Sequence, residues 1–504
     1  MPKLAATETS LTDRYTRERA EVFMTGLHAI ARVPIEQIIV DRRNGLNTAA
    51  YATGYPGSPV GNMPGVFDEA FRVRNDLPVT HRMSLNEEYA ASAVMGTQLA
   101  AARPDAKYDG VIGMWYGKAP GVDRALDALR HGSIAGAAQH GGVICVAGDD
   151  PGAKSSTLPS SSAGVLSDLH IPVFYPGSPV EALDLGRHAI AMSRTTGLWS
   201  ALKIVADVAD GTGSVALDPD RVVPKIPLID GQPYRHLPDG LLLAPHSLDI
   251  EREIYSVRFP LAIEYVRLNR LNDVTIGAAD ATVGIIASGI TYGEVREALR
   301  TLGLRNDDDV RRAGLRLLKL LMPLPFDASS MREFSRGLRE IIVVEEKNPN
   351  VEALVKDALY SLADRPVVVG KYDESGAPLF PGHGMLVADT IAPRLRARLA
   401  PRIGAMLAPP PAPPRERIPL EVERKPFYCS GCPHNRSTAV PQGTPVGVGI
   451  GCHSLVLLMD RDRVGDLVGL TPMGNEGMQW VGMAPFVETP HIVQNIGDGT
   501  FFHS

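Results

Sequence analysis

The chain has 504 residues, 44 % of them hydrophobic and 21 % charged, which is the balance of an ordinary globular protein with room for about three domains. A formal net charge of −6 argues against nucleic acid or an anionic membrane as its main partner. The first twenty residues are polar, and no stretch approaches the ~20 apolar residues of a membrane span, so the chain reads as cytoplasmic. Only four cysteines are present, three of them near the C-terminus, which excludes a disulfide framework. Forty-nine glycines and 41 prolines suit an α/β enzyme with functional turns.

Residues 20–225 alternate short apolar runs with helical stretches. GVIGMW (110–115), GGVICVAG (141–148), IPVFYPG (171–177) and WSALKIVADV (199–208) read as buried parallel strands. The segment at 180–197 has helical spacing and Gly197 as its stop signal. Asn86 is a suitable N-cap for the alanine-rich helix of NEEYAASAVMGTQLAAA. From about 280 to 400 the alternation becomes regular: strand and helix follow one another four times, predicting a parallel sheet with helices on both faces. LAPPPAPPRERIP (407–419) reads as a polyproline-like linker. The block beyond about 422 holds a cysteine pair, glycine-rich turns and HIVQNIGDG (491–499), which reads as a closing strand.

Four stretches carry possible chemistry. A strand ending in Gly497-Asp498-Gly499 would place one carboxylate at a sheet edge, where Asp498 can ligate Mg²⁺ and the glycines admit a diphosphate. The same tripeptide is also common turn chemistry. FYCSGCPHNRS sets Cys429 and Cys432 at CxxC spacing, with Cys452 following in GIGCHS. Three thiolates suit an iron–sulfur cluster, a zinc site completed by His434 or His453, or a redox pair beside one free thiol. Cys145 lies inside an apolar strand and reads as core. Glu87 and Glu88 open a helix, where carboxylates favour the helix dipole whether or not they do chemistry. The loops GYPGSPVGN and VAGDDPGAKSSTLPSSS have the Gly, Pro and Ser density of ligand-facing turns. Lys118 and Arg124 are available to a substrate carboxylate, although surface solvation accounts for either.

In combination and order, these pieces resemble the thiamine-diphosphate-dependent 2-oxoacid:ferredoxin oxidoreductases, and most closely the indolepyruvate ferredoxin oxidoreductases. The resemblance covers nearly the whole chain: YPGSP, the Asn-Glu before the alanine-rich helix, DDPGAKSS, IIVVEEKNP, CSGCPH, GIGC and GDGTFFHS. It implies a pyrimidine-binding domain at 1–225 and a connector at 226–275. A transketolase-C-like domain would follow at 276–400, then a linker at 401–421 and the start of a diphosphate-binding domain at 422–504. Glu87 stands where the family's glutamate bonds N1′ of the cofactor's aminopyrimidine, with Glu88 less favoured because Glu87 is the one that follows Asn86. Ser58 stands at the hydroxyl position that contacts the 2-oxoacid. Gly497, Asp498 and Gly499 match the diphosphate and Mg²⁺ site, and Cys429, Cys432 and Cys452 match three of four [4Fe–4S] ligands. The implied reaction is oxidative decarboxylation of an aryl 2-oxoacid to an acyl-CoA, with ferredoxin as electron acceptor. A homodimer, or an enzyme completed by further subunits, is expected. The segment that completes the Mg²⁺ site and the fourth cluster cysteine are expected beyond Ser504, so the chain reads as the front part of a longer enzyme. An iron-free thiamine lyase or transketolase and a non-catalytic binding remnant are the alternatives. The serine-rich loop at 155–162 departs from the family pattern and bears on which 2-oxoacid is used.

Overall fold

The computed structural model describes residues 10–154, 156–410 and 426–503, so most of the Pro-rich linker lies outside the described residues. The chain divides into two compact units, 1–410 and 411–504.

The first unit is built on two sheets. Six strands form the first: β1 (Thr48–Gly54), β2 (Val79–Met83), β3 (Gly110–Lys118), β4 (Val143–Asp149), β5 (Val173–Phe174) and β6 (Ser200–Val205). Every neighbouring pair runs parallel, in the order β2-β1-β3-β4-β6-β5. The central strands are largely apolar because helices cover both faces; all seven residues of β4 are buried. The chain leaves β1 for β2 on one side and returns to β3 on the other. The carboxyl ends of β1 and β3 therefore flank a topological switch point, the place where open α/β sheets leave a crevice.

Four helices matter to this sheet. α1 (Gly26–Arg43) carries Asp41 on its last turn. α2 (Glu87–Leu99) starts as the sequence predicts, with Asn86 Oδ1 accepting the Tyr89 N–H at 2.9 Å. The short α3 (Ala119–Arg124) follows β3 without a break. A fourth, α4 (Pro179–Thr196), ends at Gly197 in the left-handed conformation, φ 70°, as its stop signal requires. Arg194 of α4 makes a two-pronged bond to Asp41, 2.8 Å on each oxygen, and Thr48 and Gln37 also donate to that carboxylate.

Five strands form the second sheet: β7 (Asn272–Ile276), β8 (Val283–Ser288), β9 (Leu315–Leu320), β10 (Glu340–Val344) and β11 (Val367–Val369). Their order is β7-β9-β8-β10-β11. Four strands are parallel as expected, whereas β7 runs antiparallel to β9, at an edge supplied by residues read as connector. Helices α5 (Gly289–Thr301) and α6 (Ala388–Ile403) pack against one another on this sheet, and α6 runs past the expected domain end at 400. The two sheets are stitched together at the edge strand β5. Val173 N–H donates to Leu324 O at 2.8 Å and Tyr175 N–H to Leu321 O at 2.9 Å.

The second unit has one three-stranded parallel sheet, β12 (Val440–Val448), β13 (Gly465–Leu470) and β14 (Val493–Gln494), ordered β13-β12-β14. The expected closing strand through 491–499 is corrected here: only two residues pair, and Asp498 instead opens the short helix α7 (Asp498–His503). An acidic residue in a first helical turn meets the positive end of the helix, which competes with strand continuation. Among the described residues, no helix is long and apolar enough to cross a membrane.

Candidate functional site

The crevice at the switch point is lined by the turns after β1 and β3 and by the start of α2. Glu87 is buried, only 3 % exposed, on the first turn of α2. Its backbone carbonyl accepts the Trp115 indole N–H at 3.0 Å, which ties the start of α2 to β3. Its carboxylate lies against α3: a β-carbon at Gly121 would sit 2.4 Å from Oε1 and 2.9 Å from Cδ. Nothing larger than glycine fits there without moving the carboxylate. Glu88 is half-buried and faces Arg124, 3.6 Å away. The two neighbouring acids therefore separate into a buried group inside the crevice and a partly solvated ion pair at its rim.

Ser58 follows β1 in the turn Tyr55-Pro56-Gly57-Ser58-Pro59 and is partly exposed. Ser156 Oγ donates to the Ser58 carbonyl at 3.4 Å, so the serine-rich loop after β4 reaches the Ser58 turn. Lys118 is the last residue of β3, three residues past the expected strand end. The solvated reading of Lys118 is corrected by its surroundings. The stem crosses Gly57, where a β-carbon would lie 2.7 Å from Lys118 Cδ. Burial pushes its ammonium below the ordinary lysine range, and the Glu87 charge pulls it partly back. A lysine directly behind a fully apolar run is the signal that identifies this position.

The acids after β4 turn into their own loop. Asp149 accepts the Ser162 N–H at 3.1 Å and pairs with Lys203 at 3.3 Å. Asp150 accepts the N–H groups of Lys154 and Ser156 at 3.1 and 2.9 Å. Both carboxylates thereby shape the loop backbone.

In the second unit the structure brings together some of the predicted residues. The Cys429 carbonyl accepts the Cys432 N–H at 3.1 Å, and Asn435 Nδ2 donates to both cysteine carbonyls at 3.1 Å. Cys432 packs into a small core around Tyr428, Val448, Val456 and Val464, while Cys429 and Cys452 are exposed. The rings of His434 and His453 lie 5.9 Å apart, which places the CxxC turn beside the Cys452 turn. Among the described residues, however, no three His, Cys, Asp or Glu side chains converge as a metal site.

The glycine turns of this unit close on a histidine. β-Carbons at Gly451 and Gly497 would lie 2.8 and 3.3 Å from the His453 imidazole, so the Gly497-Asp498-Gly499 turn and the turn after β12 meet around that ring. His453 is 3 % exposed, its Nε2 has no hydrogen-bond partner, and burial holds it below the ordinary histidine range. Asp498 is exposed, with Oδ1 accepting the Gly499 N–H at 2.8 Å, which leaves the carboxylate open to a cation. Glu476 is a residue the sequence did not single out. It accepts Thr500 Oγ1 at 2.8 Å and the Gly474 N–H at 2.9 Å, and so fixes α7 to the loop before it.

Residues 273–405 match the family model described as the indolepyruvate oxidoreductase domain. Over 500 residues the chain is 26 % identical to the indolepyruvate oxidoreductase subunit IorA of Methanothermobacter thermautotrophicus, covering 97 % of this chain and 72 % of that one. The IorA subunit of Archaeoglobus fulgidus is 27 % identical over 503 residues, with the same coverage. The chain is thus similar to indolepyruvate oxidoreductase subunits along nearly its whole length. Its α/β architecture recurs in the 2-oxoglutarate:ferredoxin oxidoreductase of Magnetococcus marinus, with a TM-score of 0.55, 14 % identity, and coverage of 76 % of this chain and 66 % of that one. The family match falls on the second sheet, whereas the buried carboxylate and the switch-point crevice belong to the first.

Proposed function

We propose that the chain is the thiamine-diphosphate-binding part of an enzyme that oxidatively decarboxylates an aryl 2-oxoacid, indolepyruvate or one like it, to an acyl-CoA with ferredoxin as acceptor. The observation that carries this reading is the buried Glu87 carboxylate on the first turn of α2, lodged against Gly121 at a parallel-sheet switch point. Thiamine diphosphate, when bound, supplies a nucleophilic carbon for the 2-oxo group and a sink for the electron pair released with CO₂.

The chain's own residues do the rest. Glu87 holds a proton between its carboxylate and the aminopyrimidine N1′, and burial strengthens that bond by excluding competing water. Ser58 donates its hydroxyl to the 2-oxoacid at the mouth of the crevice. Gly497 and Gly499 give the diphosphate access to the backbone, and Asp498 holds the Mg²⁺. Cys429, Cys432 and Cys452 are assigned to a [4Fe–4S] cluster on ligand chemistry and CxxC spacing, and no electron path runs through them in the arrangement described. Their failure to converge favours, as a second reading, an iron-free thiamine enzyme on the same scaffold.

The test is anaerobic purification with thiamine diphosphate and Mg²⁺, followed by determination of bound cofactor, iron and acid-labile sulfide per chain. The reading expects saturable cofactor binding by the wild type. Glu87→Gln should lower 2-oxoacid turnover by at least about 100-fold, the contribution typical of a positioned proton-transfer group. Bound cofactor without iron would select the second reading. Cofactor binding and turnover unaffected by Glu87→Gln would remove Glu87 from the site.

A further inference from the structure

The reading above leaves Lys118 without a role, although it stands at the crevice between the Ser58 turn and Glu87. As the last residue of β3 it stands in register with Gly148 of β4, at the carboxyl edge of the sheet. Its stem lies over Gly57, the residue before Ser58, and its charge partner on the other side is Glu87. The neighbouring cations are committed elsewhere. Lys203 pairs with Asp149, and Arg124 faces Glu88 at the rim. Lys118 is thus the cation held between the Ser58 turn and the buried acid. The cost of desolvating an ammonium there is not recovered by packing alone.

We propose that Lys118 binds the carboxylate of the 2-oxoacid beside Ser58 and makes the enzyme select free 2-oxoacids over neutral carbonyl compounds. The proposal rests on the reading of the crevice as a thiamine diphosphate site. A 2-oxoacid carries its carboxylate on the carbon next to the reacting carbonyl, so a hydroxyl for the one and an ammonium for the other must be neighbours. Ser58 and Lys118 meet that requirement through Gly57, whose missing side chain lets the lysine stem pass. Once the cofactor engages Glu87, the ammonium is left with the substrate carboxylate as its counter-charge.

The experiment uses the full chain loaded with Mg²⁺ and a thiamine diphosphate analogue that cannot form a bond at C2. Phenylpyruvate, indolepyruvate and the methyl ester of phenylpyruvate are titrated calorimetrically into wild type, Lys118→Gln and Lys118→Arg. Lys118→Gln should weaken both acids by about 10- to 100-fold, the range for losing one charged hydrogen bond. Lys118→Arg should fall between, and the ester should bind all three proteins alike. In turnover, the loss should appear in KM more than in kcat. If Lys118→Gln binds the acids as wild type does, the proposal is overturned. It is equally overturned if the variant loses the cofactor analogue while retaining acid affinity, because Lys118 then serves Glu87 only. A wild type that takes up no analogue would instead sink the thiamine diphosphate reading, and the Lys118 assignment with it.

Discussion

Glu87 and Gly121 are fitted to one another across the switch-point crevice: the carboxylate occupies the volume that any side chain at 121 would fill, with Oε1 2.4 Å from the position of a β-carbon. The pairing joins two elements of different origin, the start of α2 after β2 and the short helix after β3. The glycine therefore fixes where the carboxylate points.

Gly121→Ala is expected to displace the Glu87 carboxylate while leaving the fold intact, at a stability cost of about 1–3 kcal/mol for overpacking. Thiamine diphosphate affinity should fall while the far-ultraviolet dichroism stays unchanged. Unaltered cofactor binding by this variant would mean that the carboxylate moves freely and that Gly121 does not position it.

Asp41 supplies the acid-sensitive element of the first sheet's scaffold. Burial alone would raise its carboxyl, but the Arg194 guanidinium and the Thr48 and Gln37 donors more than reverse this and leave it below the usual carboxylate range. A carboxyl depressed in the folded state contributes stability that is complete above the unfolded value, about pH 4, and is lost as pH falls through the folded value. Asp41→Asn leaves Arg194 without its charge partner and should cost about 3 kcal/mol at neutral pH. Its unfolding free energy should also change less than that of the wild type between neutral and strongly acid solution. Parallel acid profiles for the two proteins would count against this assignment.

The four thiols should separate kinetically. Cys429 and Cys452 are exposed, Cys432 is partly covered, and Cys145 is fully buried with its thiol pushed up by burial. An aromatic disulfide reagent should therefore modify two thiols fast and one more slowly, leaving the last until denaturant is added. If iron–sulfur reconstitution protects the first three together, the cluster assignment gains direct support. Protection of none would strengthen the iron-free reading.

Much of the fold is legible from local signals. Asn86 and Gly197 mark helix ends because a side-chain acceptor and a left-handed φ are each satisfied within a few residues. The strands at 143–149 and 283–288 announce themselves by the apolar runs at 143–148 and 283–287, since parallel strands are covered on both faces. What the sequence conceals depends on distant partners. β7 is a short edge strand with only Ile276 buried, so its pairing with β9 leaves little apolar pattern to read. Lys118 looks fully solvated by residue type, and only the approach of Gly57 and Glu87 shows that it is partly buried. The closing strand fails for a different reason. HIVQNI is apolar enough for a strand, yet only Val493 and Gln494 find a neighbour in β12, and Asp498 then begins a helix.

The backbone bonds from Val173 and Tyr175 to Leu324 and Leu321 bear on how the first unit comes apart. Strand β5 has two residues and cannot protect its own edge of the sheet. The segment after β9 closes that edge, so the first sheet's edge is covered only once the chain of the second is in place. The two sheets should therefore melt as a single cooperative transition, and a proteolytic cut between residues 226 and 271 should leave the halves associated until both unfold.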